Sequence, residues 1–416
     1  MRRRVLVLAP EPIRNRMAGM GIRALELARA LQAEFDVLLL VPNDAAEAAD
    51  VSGTVAVRRA AAGALGDASR GAHAAVVSGH AANWWFHQAP DIPVAVDLYD
   101  PFFVENLHYA EALGEETARH DRATLALALS RGDFFLCASP EQRLFYAGAL
   151  YAAGRVGARN FPADPVLERL LAEVPFGAPA EPASGDAGQG RRAAGLPDGG
   201  PVILFGGVYD WYDPEILLDA WPSVLAAHPE AKLLFFENPN RESTPQKVYA
   251  QVRERARTLD PAGQSVIFAP WLPYESRADL YAAVDLAVSI SSPGLETDLA
   301  FRTRLLDAAW GGIPSVSVHG GAIARDLEES GAGVQAESTL SSISAGIRSC
   351  LADPARLRRA SAAARRFAAA HAWSEVTAPL IAWCRTARVD IGRLPLPTPP
   401  GRRSLWKRLR KKIARR

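Results

Sequence analysis

Two acids and two arginines stand close together in one stretch of the sequence. They are Glu296, Arg302, Arg304 and Asp307, and they follow the strand-like apolar run 285–290. Arginine offers paired donors that match phosphate oxygens, and carboxylates accept hydrogen bonds from sugar hydroxyls. In open α/β sheets, ligands bind beyond the carboxyl ends of the strands. The segment therefore predicts a site for a ligand with both phosphates and hydroxyls, such as a nucleotide sugar.

The same residues also fit a structural role that involves no ligand. Arg304 and Asp307 are three positions apart, so on a helix they would form a surface ion pair. Glu296 would then face solvent. The residue types alone leave both explanations open.

The order of residues in this segment resembles the nucleotide-sugar signature of family-4 glycosyltransferases. In that signature, a glutamate-bearing loop leads into a helix that carries a second acid and ends in a Gly-x-Pro turn. Asp307 stands five residues before Gly312, as the second acid of the signature does. Ten residues separate Glu296 from Asp307, more than is usual, and the second acid is Asp in place of Glu. The chain resembles a subgroup with a Glu-Thr…Phe-Arg-Thr-Arg…Asp motif.

This resemblance implies a fold, an activity and a set of site residues. The fold would be GT-B, with two Rossmann-like parallel-sheet domains facing a cleft and a C-terminal helix crossing back to the first domain. The activity would be a retaining, hexosyltransferase-type reaction that needs no cofactor and no metal. Arg302, Arg304 and Glu296 would be catalytic, with the arginines stabilising the departing nucleoside diphosphate. Asp307 would hold the ribose hydroxyls of the donor.

Six further residues are predicted to bind the donor. They are Gly206, Gly207, Trp271, Thr303, Gly320 and Gly321. The resembled family commonly has an Arg and a Lys near the position of Gly206; because both are missing, Arg302 and Arg304 are predicted to supply the charge. The last two glycines would offer backbone N–H groups at a helix start. Trp271 would flank the nucleotide base, with a packing role as the open alternative.

Six residues of the first half are predicted to bind the acceptor or the donor phosphates. They are Gly19, Gly21, Arg23, His80, Asp97 and Asp100. The two glycines open a helix after the first predicted strand, where backbone N–H groups can approach an anion. The resembled subgroup shares the string Asp-Leu-Tyr-Asp-Pro-Phe that begins at Asp97. The alternatives are a conformational role for the glycines, a turn at Asp100 before its proline, and an ordinary loop position for His80.

Short apolar runs alternate with amphipathic helical segments in both halves of the chain. The predicted strands are 5–8, 37–41, 74–78, 94–98 and 134–138, then 202–205, 232–236, 266–268, 286–290 and 315–318. Such alternation predicts parallel sheets with helices on both faces. The predicted divisions are an N-terminal acceptor domain (1–176), a flexible linker (177–200), a nucleotide-sugar donor domain (201–372), a cross-over helix (373–388) and a basic tail (389–416).

Charge is distributed very unevenly along the 416 residues, although the net charge is only +1. Residues 402–416 hold nine Lys or Arg and no acid, so the rest of the chain carries a net charge of −8. An apolar stripe would form on a basic helix from Leu405, Trp406, Leu409 and Ile413. Such a helix suits an anionic membrane surface, with a solvated tail as the alternative. A single aromatic residue in the tail and an acidic body argue against nucleic acid as a partner.

The remaining features predict a cytoplasmic protein, peripheral on the inner face of the cytoplasmic membrane through its tail. No apolar run approaches the roughly 20 residues of a membrane helix. The three cysteines lack the spacing of a disulfide framework or a zinc site. The sequence has no complete GxGxxG fingerprint, Walker loop or HExxH motif.

Two alternatives to a transferase remain at the level of the sequence. One is a nucleotide-sugar epimerase of the same fold. The other is a non-catalytic glycan- or nucleotide-binding partner protein, which the missing basic pair near Gly206 allows. The products formed from a donor without acceptor would separate the three functions.

Overall fold

The computed structural model describes residues 2–61, 63–88, 91–238 and 244–395. These residues form two α/β domains, each built on a parallel sheet. Adjacent strand residues point to opposite faces; Val5 and Val7 therefore belong to one hydrophobic cluster, while Leu6 and Leu8 belong to another. Both faces of the sheet are buried in this way, which explains why the strands read as continuous apolar runs.

The first sheet is made of strands from the N-terminal half of the chain. They are β1 (Arg4–Leu8), β2 (Asp36–Val41), β3 (Ala56–Arg59), β4 (Ala74–Ser78), β5 (Val94–Asp97), β6 (Phe134–Cys137) and β7 (Leu171–Glu173). Their order across the sheet is β3-β2-β1-β4-β5-β6-β7. The order reverses between β1 and β4, so a crevice forms beyond the carboxyl ends of these two strands.

The helices of the first domain connect these strands. They are α1 (Gly19–Leu31), α2 (Ala45–Ser52), α3 (Ala64–Ser69), α4 (Gly79–Gln88), α5 (Phe102–His108), α6 (Ala110–Arg131) and α7 (Pro140–Ala152). Local sequence fixes the start of α7, because the Ser139 hydroxyl accepts from the Gln142 N–H at 3.2 Å and Pro140 occupies the first turn.

The second sheet repeats the same architecture. Its strands are β8 (Val202–Gly207), β9 (Lys232–Phe236), β10 (Val266–Ala269), β11 (Leu286–Ile290), β12 (Ser315–Val318) and β13 (Gly333–Gln335). Their order is β10-β9-β8-β11-β12-β13, again parallel. The corresponding reversal lies between β8 and β11, and it brings the loops after these strands to the same edge.

The helices of the second half extend to the end of the described chain. They are α8 (Ala187–Ala193), α9 (Pro214–Ala227), α10 (Lys247–Leu259), α11 (Arg277–Ala282), α12 (Leu295–Leu299), α13 (Thr303–Trp310), α14 (Gly321–Glu329), α15 (Leu340–Ala352), α16 (Pro354–Ala370), α17 (Trp373–Val376) and α18 (Ala378–Arg385). Among the residues that the structure describes, no helix is both long enough and apolar enough to cross a membrane.

Residues 177–200 were predicted to form a flexible linker, but in the structure part of this segment is helical and packed. It contains α8, which packs against α11 of the second domain. A Cβ at Gly190 would collide with the carbonyl oxygen of Asp279, so glycine is needed for this close approach. Glycines that suggested flexibility therefore serve here to let two helices meet.

The last helices return to the first domain, as the sequence predicts. The Trp373 ring lies 4.9 Å from the Phe176 ring, and Trp383 stacks on Phe134 at 5.5 Å between ring centroids. The His73 Nε2 is 2.8 Å from the carbonyl oxygen of Cys384. These contacts hold the two domains together behind the cleft. The basic stretch 402–416 lies outside the described residues.

Candidate active site

A cavity of about 590 Å³ lies between the two domains, where the carboxyl ends of both sheets meet. The loops after β1, β4 and β5 form one wall, and those after β8, β10 and β11 form the other. Predicted site residues that line the cavity are Gly19, His80, Asp100, Gly206, Gly207, Trp271, Arg302, Thr303, Arg304 and Asp307. The structure therefore brings together most of the candidate residues from both halves of the chain.

Arg302 and Glu296 form a buried ion pair at the base of the second-domain wall. The Arg302 Nη1 and Nη2 donate to the Glu296 carboxylate oxygens at 2.7 and 2.6 Å. The Thr297 hydroxyl also accepts from Nη2 at 3.1 Å. Glu296 does not line the cavity, because both of its oxygens are bound by Arg302. It reaches a ligand only through Arg302.

Arg304 occupies a more open position on the same wall. Strand β8 has an irregular register between Leu204 and Gly206, which leaves Phe205 without a paired partner in β9. The Phe205 carbonyl accepts a hydrogen bond from the Arg304 Nη1 at 2.9 Å. The positive φ of 87° at Gly206 suits glycine, and a Cβ there would lie 3.8 Å from that Nη1. Arg304 thus places its charge beside Gly206, as predicted from the absence of basic residues there.

A tyrosine ring supports both guanidinium groups. The Tyr212 ring centroid lies 4.0 Å from the Arg304 Cζ and 5.0 Å from the Arg302 Cζ. An aromatic face stabilises a nearby cation and limits its rotation. The two arginines are therefore held in place before any ligand binds.

Asp307 lies on α13 and faces the cavity near Arg277. Burial raises the pKa of this carboxyl to about 6, with Glu26 adding to the effect and Arg277 opposing it. The Arg277 guanidinium stacks on the Tyr274 ring at 3.6 Å, and the Tyr274 hydroxyl donates to Glu26 on α1 at 3.1 Å. The surface ion pair between Arg304 and Asp307, the alternative to a ligand site, does not form in the structure. Asp307 instead lies near Arg277, whose ring partner Tyr274 contacts the first domain through Glu26.

The predicted glycines and Trp271 divide into cavity residues and packing residues. Trp271 lines the cavity and packs over Gly207, where a Cβ would come within 3.1 Å of its ring. Gly320 and Gly321 do not line the cavity. A Cβ at Gly320 would collide with Ala324, and one at Gly321 would crowd the backbone of α12 at 3.1 Å. Gly321 thus allows α14 to pack closely against α12, and neither glycine contributes to the cavity.

Carboxyl groups supply the acidic side chains of the first-domain wall. Asp100 and Glu105 are hydrogen-bonded to each other, and both line the cavity. Burial raises the pKa of Asp100 to about 7, with the nearby Glu11 adding to the effect. Burial and the charge of Asp100 likewise raise the pKa of Glu105. At neutral pH this wall therefore holds a carboxyl pair that shares at least one proton.

His80 stands at the mouth of the cavity, where it contacts a buried acid. Its Nε2 is 3.2 Å from the Asp121 Oδ1, and the Asn106 side chain donates to the other Asp121 oxygen at 2.8 Å. The His80 ring stacks on His120 with centroids 5.1 Å apart. Burial lowers the pKa of His80, and the Asp121 charge opposes this. A neutral imidazole in this position can accept a hydrogen bond from a hydroxyl.

Arg23 and Asp97 lie behind the cavity wall, away from a ligand. The Arg23 Nε and Nη2 donate to both Asp97 oxygens at 2.7 and 2.9 Å, and two further bonds go to the Pro175 and Val174 carbonyls. Both side chains are buried and neither lines the cavity. Four of the five Arg23 N–H donors are used within the protein, and the side chain is buried away from the cavity. Gly21 is also buried, and its N–H donates to the Glu11 carboxylate.

Among the cavity residues that were not singled out from the sequence, four have side chains that bear on the chemistry of the site. They are Glu11, Glu105, Tyr212 and Arg277. The position of Glu105 could have been inferred from the sequence. It lies one turn into the helix that follows Asp100, so its side chain comes back near that of Asp100. The others come from separate loops, and nothing in their spacing shows that they meet.

Comparisons with known proteins add evidence on the fold. No protein-family model matches the sequence, and no curated protein matches it. Among solved structures, sucrose-phosphate synthase from Thermosynechococcus elongatus aligns with a TM-score of 0.67 and 14% identity, over 92% of this chain and 99% of that chain. HepE from Anabaena in complex with UDP-glucose aligns with a TM-score of 0.67 and 17% identity, over 92% of this chain and 100% of that chain. WaaG, a glycosyltransferase involved in lipopolysaccharide biosynthesis, aligns with a TM-score of 0.61 and 13% identity, over 92% and 99% of the two chains.

These alignments span nearly the full length of both partners and include both domains. The sequence identities are low, so what they establish is the fold. Together with the two parallel sheets and the returning C-terminal helices, they confirm the predicted GT-B architecture.

Proposed function

We propose that the chain is a retaining glycosyltransferase that moves a sugar from a nucleotide-sugar donor to a surface-glycan or lipid-linked acceptor. The observation that carries the proposal is the Arg304 guanidinium, held at the carboxyl end of β8 by the Phe205 carbonyl and the Tyr212 ring. It lies in a cavity between two Rossmann-like domains. The similar fold of HepE, whose structure contains UDP-glucose, supports a nucleotide-sugar ligand.

The second-domain wall would bind the donor. Arg304 contacts the diphosphate, and its planar fork stabilises the charge that grows on the leaving oxygen. Arg302 adds to the positive potential from below, with Glu296 fixing its orientation. Asp307 accepts hydrogen bonds from the ribose hydroxyls. Trp271 flanks the base of the nucleotide.

The first-domain wall would receive the acceptor. Asp100 and Glu105 can accept or donate hydrogen bonds to sugar hydroxyls, since the pair holds both charged and neutral carboxyl groups. His80 offers a further acceptor at the mouth. The acceptor hydroxyl transfers its proton to the departing diphosphate on the same face of the sugar, so the reaction requires no protein nucleophile, cofactor or metal.

The basic stretch 402–416 would attach the enzyme to the anionic inner face of the cytoplasmic membrane. Its nine cations contrast with the charge of −8 on the rest of the chain. Anionic lipid attracts each such residue with about 1 kcal/mol near the surface. A lipid-linked acceptor would be concentrated at the same place.

The test is a product assay with a panel of nucleotide sugars, first without acceptor. Release of free sugar and nucleoside diphosphate by the wild type supports a transferase, and this release should fall in Arg304→Ala. Arg255→Ala is the matched control, because Arg255 forms an exposed ion pair with Asp219 outside the cavity. An isomerised nucleotide sugar would show an epimerase instead, and binding without any product would show a partner protein.

A further inference from the structure

Exposed apolar side chains are concentrated in three segments that contact one another. Among the residues that the structure describes, ten large apolar side chains are exposed, and seven of them belong to α7, the loop after it and the chain end that contacts that loop. They are Leu144, Tyr151, Phe161, Val166, Val389, Ile391 and Leu394, which together we call the α7 surface. Single exposed apolar residues are ordinary, whereas a cluster of this kind marks an interaction surface.

One part of the α7 surface is the outer face of helix α7. Leu144 and Tyr151 are seven residues apart, so they lie on the same face, about 10 Å from each other along the axis. Their side chains are 77% and 70% exposed. Arg143, next to Leu144, donates a hydrogen bond to the Val166 carbonyl, which places the loop after α7 beside the helix. The helix face and the loop are therefore continuous.

The other part surrounds Arg155, just after α7. Its carbonyl accepts from the Asn160 side chain at 2.6 Å, which holds the neighbouring Phe161 in place. Its Nη2 lies 2.9 Å from the Asp390 carboxylate, which precedes Ile391. Phe161 and Ile391 are thus anchored through the same buried arginine. The segment 389–394, at the described end of the chain, is therefore part of the α7 surface.

The charges around this surface indicate what it meets. Arg159, Arg169 and Arg388 are exposed within its segments and form no ion pair with another described residue. One exposed acid there, Glu168, is likewise unpaired with any described residue, so the excess is positive. Beyond Leu394, seven residues (395–401) precede the basic stretch 402–416, a reach of about 25 Å at most. Apolar side chains flanked by unpaired cations fit an anionic lipid bilayer, where apolar groups enter the head-group boundary and cations remain at the phosphates.

We propose that the α7 surface is the membrane-docking face of the folded protein and inserts its apolar side chains into the head-group region of an anionic bilayer. The proposal rests on the membrane partner in the proposed function, and it adds which face of the first domain makes the contact. The basic stretch supplies long-range attraction, and the α7 surface supplies orientation.

The test is binding of the full-length protein to vesicles of phosphatidylcholine with phosphatidylglycerol, measured by sedimentation. Phe161→Ser should weaken partitioning about tenfold, because it removes an aromatic side chain that becomes buried on the bilayer. Leu144→Ser should act in the same direction. The matched control is Leu340→Ser on the second domain. Leu340 and Phe161 are each 47% exposed, and each is the first residue of a helical segment. It should bind as the wild type does.

Separate arms distinguish this proposal from the membrane partner itself. Truncation after Gly401 tests the basic stretch, and turnover of a soluble acceptor analogue tests the enzyme. If truncation abolishes vesicle binding while both serine variants bind normally, the basic stretch binds alone and the α7 surface proposal is overturned. Serine variants that bind vesicles normally but change the oligomeric state would assign the surface to a second copy of the chain, which also overturns it. If Leu340→Ser weakens vesicle binding as much as the variants in the α7 surface do, the proposal is also overturned.

Discussion

The two walls of the cavity carry opposite chemistry. The second-domain wall presents two arginines that are fixed by an ion pair, a backbone carbonyl and a shared aromatic ring. The first-domain wall presents the carboxyl groups of Glu11, Asp100 and Glu105, whose pKa values burial raises. A diphosphate is attracted to the first set and repelled by the second, so the contrast would fix the direction in which a nucleotide sugar enters.

The walls also differ in how their charges are neutralised. Arg302 is paired with Glu296 inside the protein, whereas Arg304 has only neutral partners, the Phe205 carbonyl and the Tyr212 ring. The acids of the opposite wall lower their charge by binding protons. Of these two arginines, Arg304 is therefore the one whose positive charge is more available to a ligand, and Arg302 is the one whose loss would damage the fold.

The largest expected effect is on stability, from Arg302→Ala. This change leaves the buried Glu296 carboxylate unpaired, and breaking a buried pair from one side costs about 3–5 kcal/mol. Chemical denaturation should show this loss in the free energy of unfolding. The double variant Glu296→Leu with Arg302→Leu should recover most of it, since no unpaired charge remains. A single variant as stable as the wild type would contradict the buried pair.

Arg304→Ala should leave stability nearly unchanged and reduce turnover. Removing a donor that acts on the leaving group lowers kcat by roughly 10²–10³. Arg304→Lys should recover only part of the rate, because lysine keeps the charge but lacks the planar fork. Steady-state kinetics measures both. Normal turnover in Arg304→Ala would remove this residue from the leaving-group site.

A smaller effect on binding is expected from Asp307→Ala. The loss of a charged hydrogen-bond partner should weaken nucleoside diphosphate binding by about 1–3 kcal/mol. The matched control is Asp298→Ala, an exposed acid close in sequence that does not line the cavity. Calorimetric titration of both variants gives the comparison. Equal affinities would place the ribose elsewhere.

The acidic wall predicts a pH dependence with a definite sign. Burial raises the pKa of Asp100 from 3.8 to about 7, so the folded protein binds a proton that the unfolded chain releases. Its contribution to the free energy of unfolding is full below the unfolded pKa and is lost as the pH rises through the folded pKa, with a slope of at most about 1.4 kcal/mol per pH unit. Asp100→Asn should therefore flatten the fall in stability between about pH 4 and about pH 7, the interval between its unfolded and folded pKa values. An identical slope in the variant would show that Asp100 is already ionised.

Much of the fold could be predicted from the sequence because parallel strands are buried on both faces. The predicted runs correspond to β1, β2, β4, β5 and β6 and to β8 to β12. The strands that were missed, β3, β7 and β13, are short, and β3 is a polar edge strand, Ala56–Arg59. Their pairing comes from the neighbouring strand more than from their own composition.

Site residues could be predicted where a charged or polar side chain follows a predicted strand. They could not be predicted where their position depends on distant contacts. Arg304, Asp307, Asp100 and His80 follow predicted strands, and the structure places all four on the cavity. Local sequence did not show that Arg23 is bound to an acid 74 positions away. Buried pairing of this kind depends on tertiary contacts, so arginines on the cavity and behind it look alike in the sequence.

The proposed function requires that the second-domain wall, with Arg302 and Arg304, binds the diphosphate of a nucleotide sugar. Isothermal titration calorimetry of UDP, GDP, ADP and dTDP with the wild type and with Arg304→Ala tests it most directly. At least one of these ligands should bind the wild type at a single site and bind Arg304→Ala more weakly. Binding of the same ligand with equal affinity to both proteins would contradict it.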